Sequence, residues 1–144
     1  MKLINLNKMY KEKIKNALTI SLLCAIFGAL QMYWFLPDGL SCIDAKSGVI
    51  EAIFKFMGIQ FLVIFFILLL KSSFKLYIIA VSLCIFWFFI NKNEFTYRYA
   101  CWSTFSSSDI LYYSLKNSTV PIITCLTVLI LSIYFYKSKS KNLH

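Results

Sequence analysis

Four long apolar runs with few charges constrain this sequence more than any other feature. They occupy residues 17–36, 49–70, 75–91 and 118–136. A helix of about 20 apolar residues spans the ~30 Å hydrocarbon layer of a bilayer. Hydrophobic residues make up 60% of the chain, whereas about 45–50% is usual in soluble domains. The sequence therefore predicts an all-α, polytopic membrane protein, in which one domain is formed by a bundle of four transmembrane helices.

Charge is distributed unevenly among the segments that flank these runs. The net charge is +9, and lysines concentrate in the basic segment 1–16, the link 71–75 and the basic tail 137–144. Four crossings bring these three segments to one side. Positively charged segments stay cytoplasmic, so we expect a bacterial inner-membrane (plasma-membrane) protein with both termini cytoplasmic. Topology and attraction to the lipid bilayer account for the charge, so nucleic acid is not an expected partner.

The basic segment 1–16 is expected to lie along the inner membrane surface, with its lysines among the headgroups. The link 71–75 is so short that the second and third crossings should be antiparallel neighbours. Near the start of the second crossing, Glu51 and Lys55 have the i,i+4 spacing that favours an ion pair at the interface.

Small residues form a stripe along the first crossing. Ala17, Ser21, Ala25 and Ala29 recur every fourth residue, and such a stripe allows another helix to approach closely. The partner helix could belong to the same chain or to a second copy. In the second crossing, Gln60 is deep enough that its amide should hydrogen-bond a neighbouring helix.

Two of the five cysteines differ from the others in position. Cys24, Cys84 and Cys125 lie within crossings, where a thiol is an ordinary apolar filler. The topology places Cys42 and Cys101 on the outer side, which in a bacterium is the oxidising periplasm. We therefore predict a disulfide between Cys42 and Cys101, as opposed to two free thiols.

The segment 91–117, predicted as an outer loop, is rich in aromatic residues. Phe95, Tyr97, Tyr99 and Trp102 surround Arg98, and aromatic residues with arginine are frequent at the centres of binding surfaces. Aromatic residues also anchor membrane proteins at the interface without any partner. The segment is therefore either an anchoring loop or a surface that recognises a protein.

The second half of this outer loop has the pattern of a helix start. Ser106 is a candidate N-cap, with Asp109 in the first turn. The following residues, including Ile110 and Leu111, would give the helix an apolar face. We expect a short interfacial helix that lies flat on the outer leaflet, separate from the fourth crossing.

The residue types argue against an enzyme. The only histidine is His144, so no histidine-based metal site or Ser-His-Asp arrangement can form. Cys42 has no second cysteine nearby, whereas a quinone-coupled disulfide oxidoreductase needs a Cys-x-x-Cys pair. No crossing has a carboxylate near its centre, as proton-coupled transport would require. We expect no catalytic residues, metal or cofactor.

With its four apolar runs, basic ends and distinctive outer loop, the chain resembles the immunity proteins for pore-forming colicins. The resemblance is one of architecture over the whole chain and rests on no diagnostic motif. It implies a protein that meets the channel-forming helices of a toxin within the bilayer and keeps the pore closed. The small-residue stripe and Gln60 would then be candidate contacts, with the outer loop a second determinant. The alternatives are a phage or plasmid exclusion protein and an accessory subunit or assembly factor of a membrane complex.

Overall fold

The computed structural model describes residues 2–36, 41–42, 48–70, 74–102 and 105–141. Residues 71–73 of the predicted link 71–75 lie outside these residues. Within them the chain forms four long helices: α1 (Lys2–Phe35), α2 (Val49–Leu69), α3 (Lys75–Arg98) and α4 (Ser107–Lys141). A short 3-10 turn, Ala100–Trp102, follows α3. Each long helix is long and apolar enough to cross a membrane, which confirms the predicted all-α class with four such helices.

Successive helices run antiparallel, and α1 is at the centre of the packing. α1 packs extensively against α2 and α4, and α3 packs mainly against α4. The expected neighbours α2 and α3 contact each other at few positions. The side of the bundle between α2 and α3 is therefore more open than the other sides.

The helices extend beyond the predicted boundaries. α1 is continuous from Lys2, so the basic residues 2–16 form its first turns and are not a separate surface segment. The reason is local, since Lys, Leu, Met and Glu are strong helix formers and no Gly or Pro interrupts them.

The segment 91–117, predicted as an outer loop, is mostly helical. α3 continues through 91–98, and α4 is one helix from Ser107 onward that includes Pro121. No separate flat helix precedes the fourth crossing. The polar residues of 91–98 suggested a loop, but several of them are buried against partners inside the bundle, as described below. Proline is tolerated within membrane helices because neighbouring groups satisfy the freed backbone atoms.

The core is built from residues that all four helices contribute. A large cluster at the centre contains Cys24, Ile64, Leu83, Trp87 and Leu129, and each of these side chains is buried. A smaller cluster nearer one end contains Met32, Leu36, Ile53 and Ile90. Hydrophobic side chains also cover the outside of the helices, as a lipid-facing surface requires.

Polar contacts close the end of the bundle that we call the lysine end. Lys13 Nζ and Lys75 Nζ donate to the carbonyl oxygens of Leu69 and Leu68, each at 2.9 Å. These carbonyls belong to the last turn of α2, where no further helical N–H is present to bind them. Cations are also favoured there by the helix dipole. The opposite end, which contains Cys42 and Cys101, is called the disulfide end.

Candidate functional site

The amide of Gln60 joins three helices at the centre of the bundle. Its Nε2 donates to the carbonyl oxygen of Cys24 on α1, and its Oε1 accepts from Trp87 Nε1 on α3 at 2.8 Å. Gly28 provides the space, because a Cβ atom at this position would lie 2.8 Å from both Cδ and Nε2 of Gln60. The predicted hydrogen bond from Gln60 to a neighbouring helix is therefore confirmed, and the amide bonds both α1 and α3.

The small-residue stripe is also used within the chain. Ala17, Ser21 and Ala25 are buried, and Ala29 is half-buried against the smaller core cluster. Because these side chains face other helices of the same chain, they are not available as a surface for a second protein. Of the two alternatives for the stripe, the structure shows packing within the same chain.

A buried contact between two amide side chains, one on α1 and one on α3, is not among the sequence predictions. Gln31 on α1 and Asn91 on α3 are each 0% exposed. Asn91 Nδ2 donates to Gln31 Oε1 at 3.0 Å, and Gln31 Nε2 lies 3.4 Å from Asn91 Oδ1. The sequence pattern places Asn91 at the start of the predicted outer loop. The available signal is that an amide lies within the first apolar run and another ends the third run, and such side chains hydrogen-bond across membrane helices.

Arg98 is buried, which corrects its predicted role as an exposed contact for a partner. Its side chain is 1% exposed, and its Nε lies 2.9 Å from Oε2 of Glu94, whose side chain is 11% exposed. Arg98 Nη2 also donates to the carbonyl oxygen of Gly48 at 3.2 Å. The extra turns of α3 carry Arg98 to the face opposite the start of α2. The guanidinium therefore ties α3 to α2 at the disulfide end.

The predicted disulfide between Cys42 and Cys101 is present in the structure. The two Cα atoms are 6.5 Å apart, and the bond closes a sequence separation of 59 residues. The backbone N–H of Cys42 also donates to the carbonyl oxygen of Tyr97 at 2.8 Å. These two links hold the segment before α2 against the end of α3.

The start of α4 is fixed by a reciprocal cap, as its sequence pattern predicts. The backbone N–H of Asp109 donates to Ser106 Oγ at 3.2 Å, and the backbone N–H of Ser106 donates to Asp109 Oδ2 at 3.1 Å. Such a cap satisfies two N–H groups that the first helical turn leaves open. Phe105, the residue before the cap, is thereby held in place.

Aromatic side chains at the disulfide end line an open cavity, which we call the aromatic cleft. Its volume is about 370 Å³, and its lining consists of Phe35, Phe95, Tyr99, Phe105, Tyr113 and Asn117. The ring centroids of Phe95 and Tyr99 are 5.3 Å apart, and those of Phe105 and Tyr113 are 5.4 Å apart. Tyr99 is 53% exposed and Tyr113 is 40% exposed, so the cleft presents ring surface to its surroundings.

Two of the five residues predicted to contact a partner protein line the aromatic cleft. Phe95 and Tyr99 line it, whereas Tyr97 is exposed outside the lining and Arg98 contributes to a separate charged pocket. The side chain of Trp102 lies outside the described residues. The sequence does not predict the other lining residues as contacts, because Phe35 is on α1 and Phe105, Tyr113 and Asn117 lie just before or within α4, so that only the packing of α1, α3 and α4 brings them together.

Within the described residues, no group of three His, Cys, Asp or Glu side chains could hold a metal ion. The cleft can instead bind apolar or aromatic groups through ring contacts, or a cation through the ring faces. An amide at Asn117 adds one hydrogen-bonding group. No family model, curated protein or solved structure matches the chain.

Proposed function

We propose that this chain is a non-enzymatic inner-membrane immunity protein, which protects a bacterium by binding a pore-forming bacteriocin in the membrane. The observation that carries the proposal is the aromatic cleft, an open cavity of about 370 Å³ at the disulfide end of the bundle.

The cleft has the chemistry of a binding centre for another protein. Aromatic rings provide large apolar contact areas, lose little conformational entropy on binding and dominate the energetically important positions of interfaces. The disulfide and the Ser106–Asp109 cap hold two of its edges. A partner therefore need not order the cleft before binding, which removes one cost of association.

The position of the cleft also suits a toxin that arrives from outside the cell. The lysine-rich segments favour a cytoplasmic location for the lysine end, which would expose the disulfide end on the periplasmic side. A toxin that inserts its channel-forming helices next to α3 and α4 would place its own outer turns at the cleft. Binding there would hold those helices in a closed arrangement.

Protection of living cells tests the proposal. We would express the chain in a sensitive bacterium, challenge the cells with a panel of channel-forming bacteriocins, and measure survival and potassium release. Wild type should protect against at least one toxin, and Tyr99→Ala combined with Tyr113→Ala should reduce that protection at least tenfold, since each truncation removes a central aromatic contact. Tyr77→Ala is the matched control, because Tyr77 is 73% exposed in the first turn of α3, far from the cleft.

Immunoblotting of membranes would establish that all variants accumulate equally. No protection against any toxin in the panel would refute the immunity function. In that case, a block of phage or plasmid DNA entry in the same cells would identify an exclusion protein, and co-purification with a host complex would identify an accessory subunit.

A further inference from the structure

Two cavities lie on the open side of the bundle between α2 and α3. The first, near the disulfide end, has a volume of about 170 Å³ and is lined by Ser41, Glu51, Ala52, Lys55, Phe56, Glu94 and Arg98. The second is nearer the middle of the bundle, has a volume of about 130 Å³ and is lined by Gln60, Val63, Ile64, Ser82, Leu83 and Phe86. A charged pocket is therefore followed, deeper along the same two helices, by an apolar one.

The charges of the first pocket are ordered along the axis of α2. Glu51 and Lys55 are both exposed, and among the residues that the structure describes neither forms an ion pair, so the predicted Glu51–Lys55 pair is not made. Lys55 is about 6 Å deeper than Glu51 along the helix. At the back of the pocket, Glu94 and Arg98 neutralise each other at 2.9 Å. The pocket thus contains two acidic and two basic side chains, with the negative exposed charge outermost and the positive one deeper.

We infer that this side of the bundle binds one zwitterionic aminophospholipid, with its phosphate at Lys55, its ammonium at Glu51 and an acyl chain in the apolar cavity. With α2 across the bilayer, the phosphate of such a lipid lies nearer the hydrocarbon than the ammonium does. The order of the two exposed side chains on α2 is complementary to this order of charges in the headgroup.

The charge balance selects among the common bacterial headgroups. An anionic glycerol headgroup would satisfy Lys55 with its phosphate, but its neutral hydroxyl groups would leave the carboxylate of Glu51 without a counter-charge. The ammonium of an ethanolamine headgroup neutralises Glu51 and donates charge-assisted hydrogen bonds to its carboxylate. A choline headgroup has the same charge but no N–H donor, so it should bind more weakly.

The spacing of the two cavities fits a lipid that stands parallel to the helices. Val63 follows Lys55 by eight residues, which is about 12 Å along α2. A lipid whose phosphate is at Lys55 therefore carries its acyl chain past Phe56 and into the cavity lined by Val63 and Phe86. The chain would fill space that the loosely packed α2 and α3 leave between them.

Lipid retention tests this site on the intact protein. The purified chain would be delipidated in detergent and incubated separately with phosphatidylethanolamine, phosphatidylcholine and phosphatidylglycerol of equal chain length, and bound lipid would be counted by native mass spectrometry. We expect phosphatidylethanolamine to bind wild type at least tenfold more tightly than the other two. Glu51→Gln or Lys55→Gln should each reduce that affinity about tenfold, the usual scale for loss of one charged hydrogen bond.

The exchange variant, Glu51→Lys combined with Lys55→Glu, tests whether lipid binding depends on the order of the two charges along α2 or only on their sum. It retains both charges and their spacing, so a site that depends on net charge alone would be unaffected, whereas we expect the preference for phosphatidylethanolamine to disappear. Lys116→Gln removes an exposed lysine on α4 that lies over the Tyr112 ring and should change nothing. Equal binding of all three lipids to wild type, or full phosphatidylethanolamine preference in the exchange variant, would overturn the inference.

Discussion

Replacement of Gly28 by alanine should disrupt the contact that joins α1, α2 and α3. The added Cβ would lie 2.8 Å from Cδ and Nε2 of Gln60, closer than real Cβ atoms approach other heavy atoms. The amide must then move away from the carbonyl oxygen of Cys24 and from Trp87 Nε1. Alternatively, α1 and α2 must separate and lose packing along their long interface.

The expected loss of unfolding free energy can be worked out from the hydrogen bonds that the substitution would break. Hydrogen bonds between membrane helices contribute about 0.6 kcal/mol on average and up to about 1.7 kcal/mol, and Gln60 makes one to each neighbouring helix. Displacement of its amide also leaves the buried Trp87 N–H without its acceptor, which costs a further 1–3 kcal/mol, roughly. Part of this is offset because alanine favours the helix over glycine by up to about 1 kcal/mol. We expect Gly28→Ala to lower the free energy of unfolding by about 2 kcal/mol.

A double-mutant cycle in mixed micelles can measure this effect. Unfolding by sodium dodecyl sulfate would be followed by tryptophan fluorescence and far-ultraviolet circular dichroism. Gly58→Ala is the matched control, because nothing lies within 4 Å of a Cβ at this position on α2. Its free energy of unfolding should be unchanged or slightly raised. In a Gln60→Ala background, Gly28→Ala should no longer destabilise, which gives a coupling energy of about 2 kcal/mol. Equal effects of Gly28→Ala with and without the Gln60 amide would refute this reasoning.

Two further changes test the disulfide end. Glu94→Gln removes the carboxylate that pairs with the buried Arg98 guanidinium, so it should lower the free energy of unfolding by about 3 kcal/mol in the same micelle titration, and an unchanged value would show that the pair does not stabilise the fold. Cys42→Ser should abolish the shift in electrophoretic mobility that reduction causes in wild type, whereas Cys84→Ser, at an exposed free thiol, should retain it. A shift that persists in Cys42→Ser would contradict the assigned disulfide.

The sequence predicts the features of this fold that depend on composition or on one local segment. Four apolar runs of sufficient length predict four helices. Ser106 with Asp109 predicts a helix start, because a cap is encoded within four residues, but it does not predict that this helix continues into the fourth crossing. The disulfide was predictable because alternation of crossings leaves two cysteines, Cys42 and Cys101, on one side.

Contacts that depend on which faces of the helices pack together could not be predicted from composition or from one local segment. Asn91, Glu94 and Arg98 look like loop residues because they are polar, yet each faces a partner on its own or a neighbouring helix. Asn91 bonds Gln31, which is 60 residues away, and Arg98 also bonds Gly48, which is 50 residues away, so neither contact follows from the local sequence. The aromatic cleft is similar, since Phe35 and Tyr113 become neighbours only when α1, α3 and α4 are packed together.

Site-specific photocrosslinking is the most direct measurement of whether the aromatic cleft receives a toxin. A photoreactive amino acid would be placed at Tyr99, at Tyr113 or, as the control, at Tyr77, and protected cells would be irradiated after addition of a bacteriocin from the panel. The cleft positions should form an adduct with the channel-forming domain of the toxin, and Tyr77 should form none. Protected cells in which the adduct forms only at Tyr77, or at none of the three positions, would contradict recognition of the toxin by the cleft.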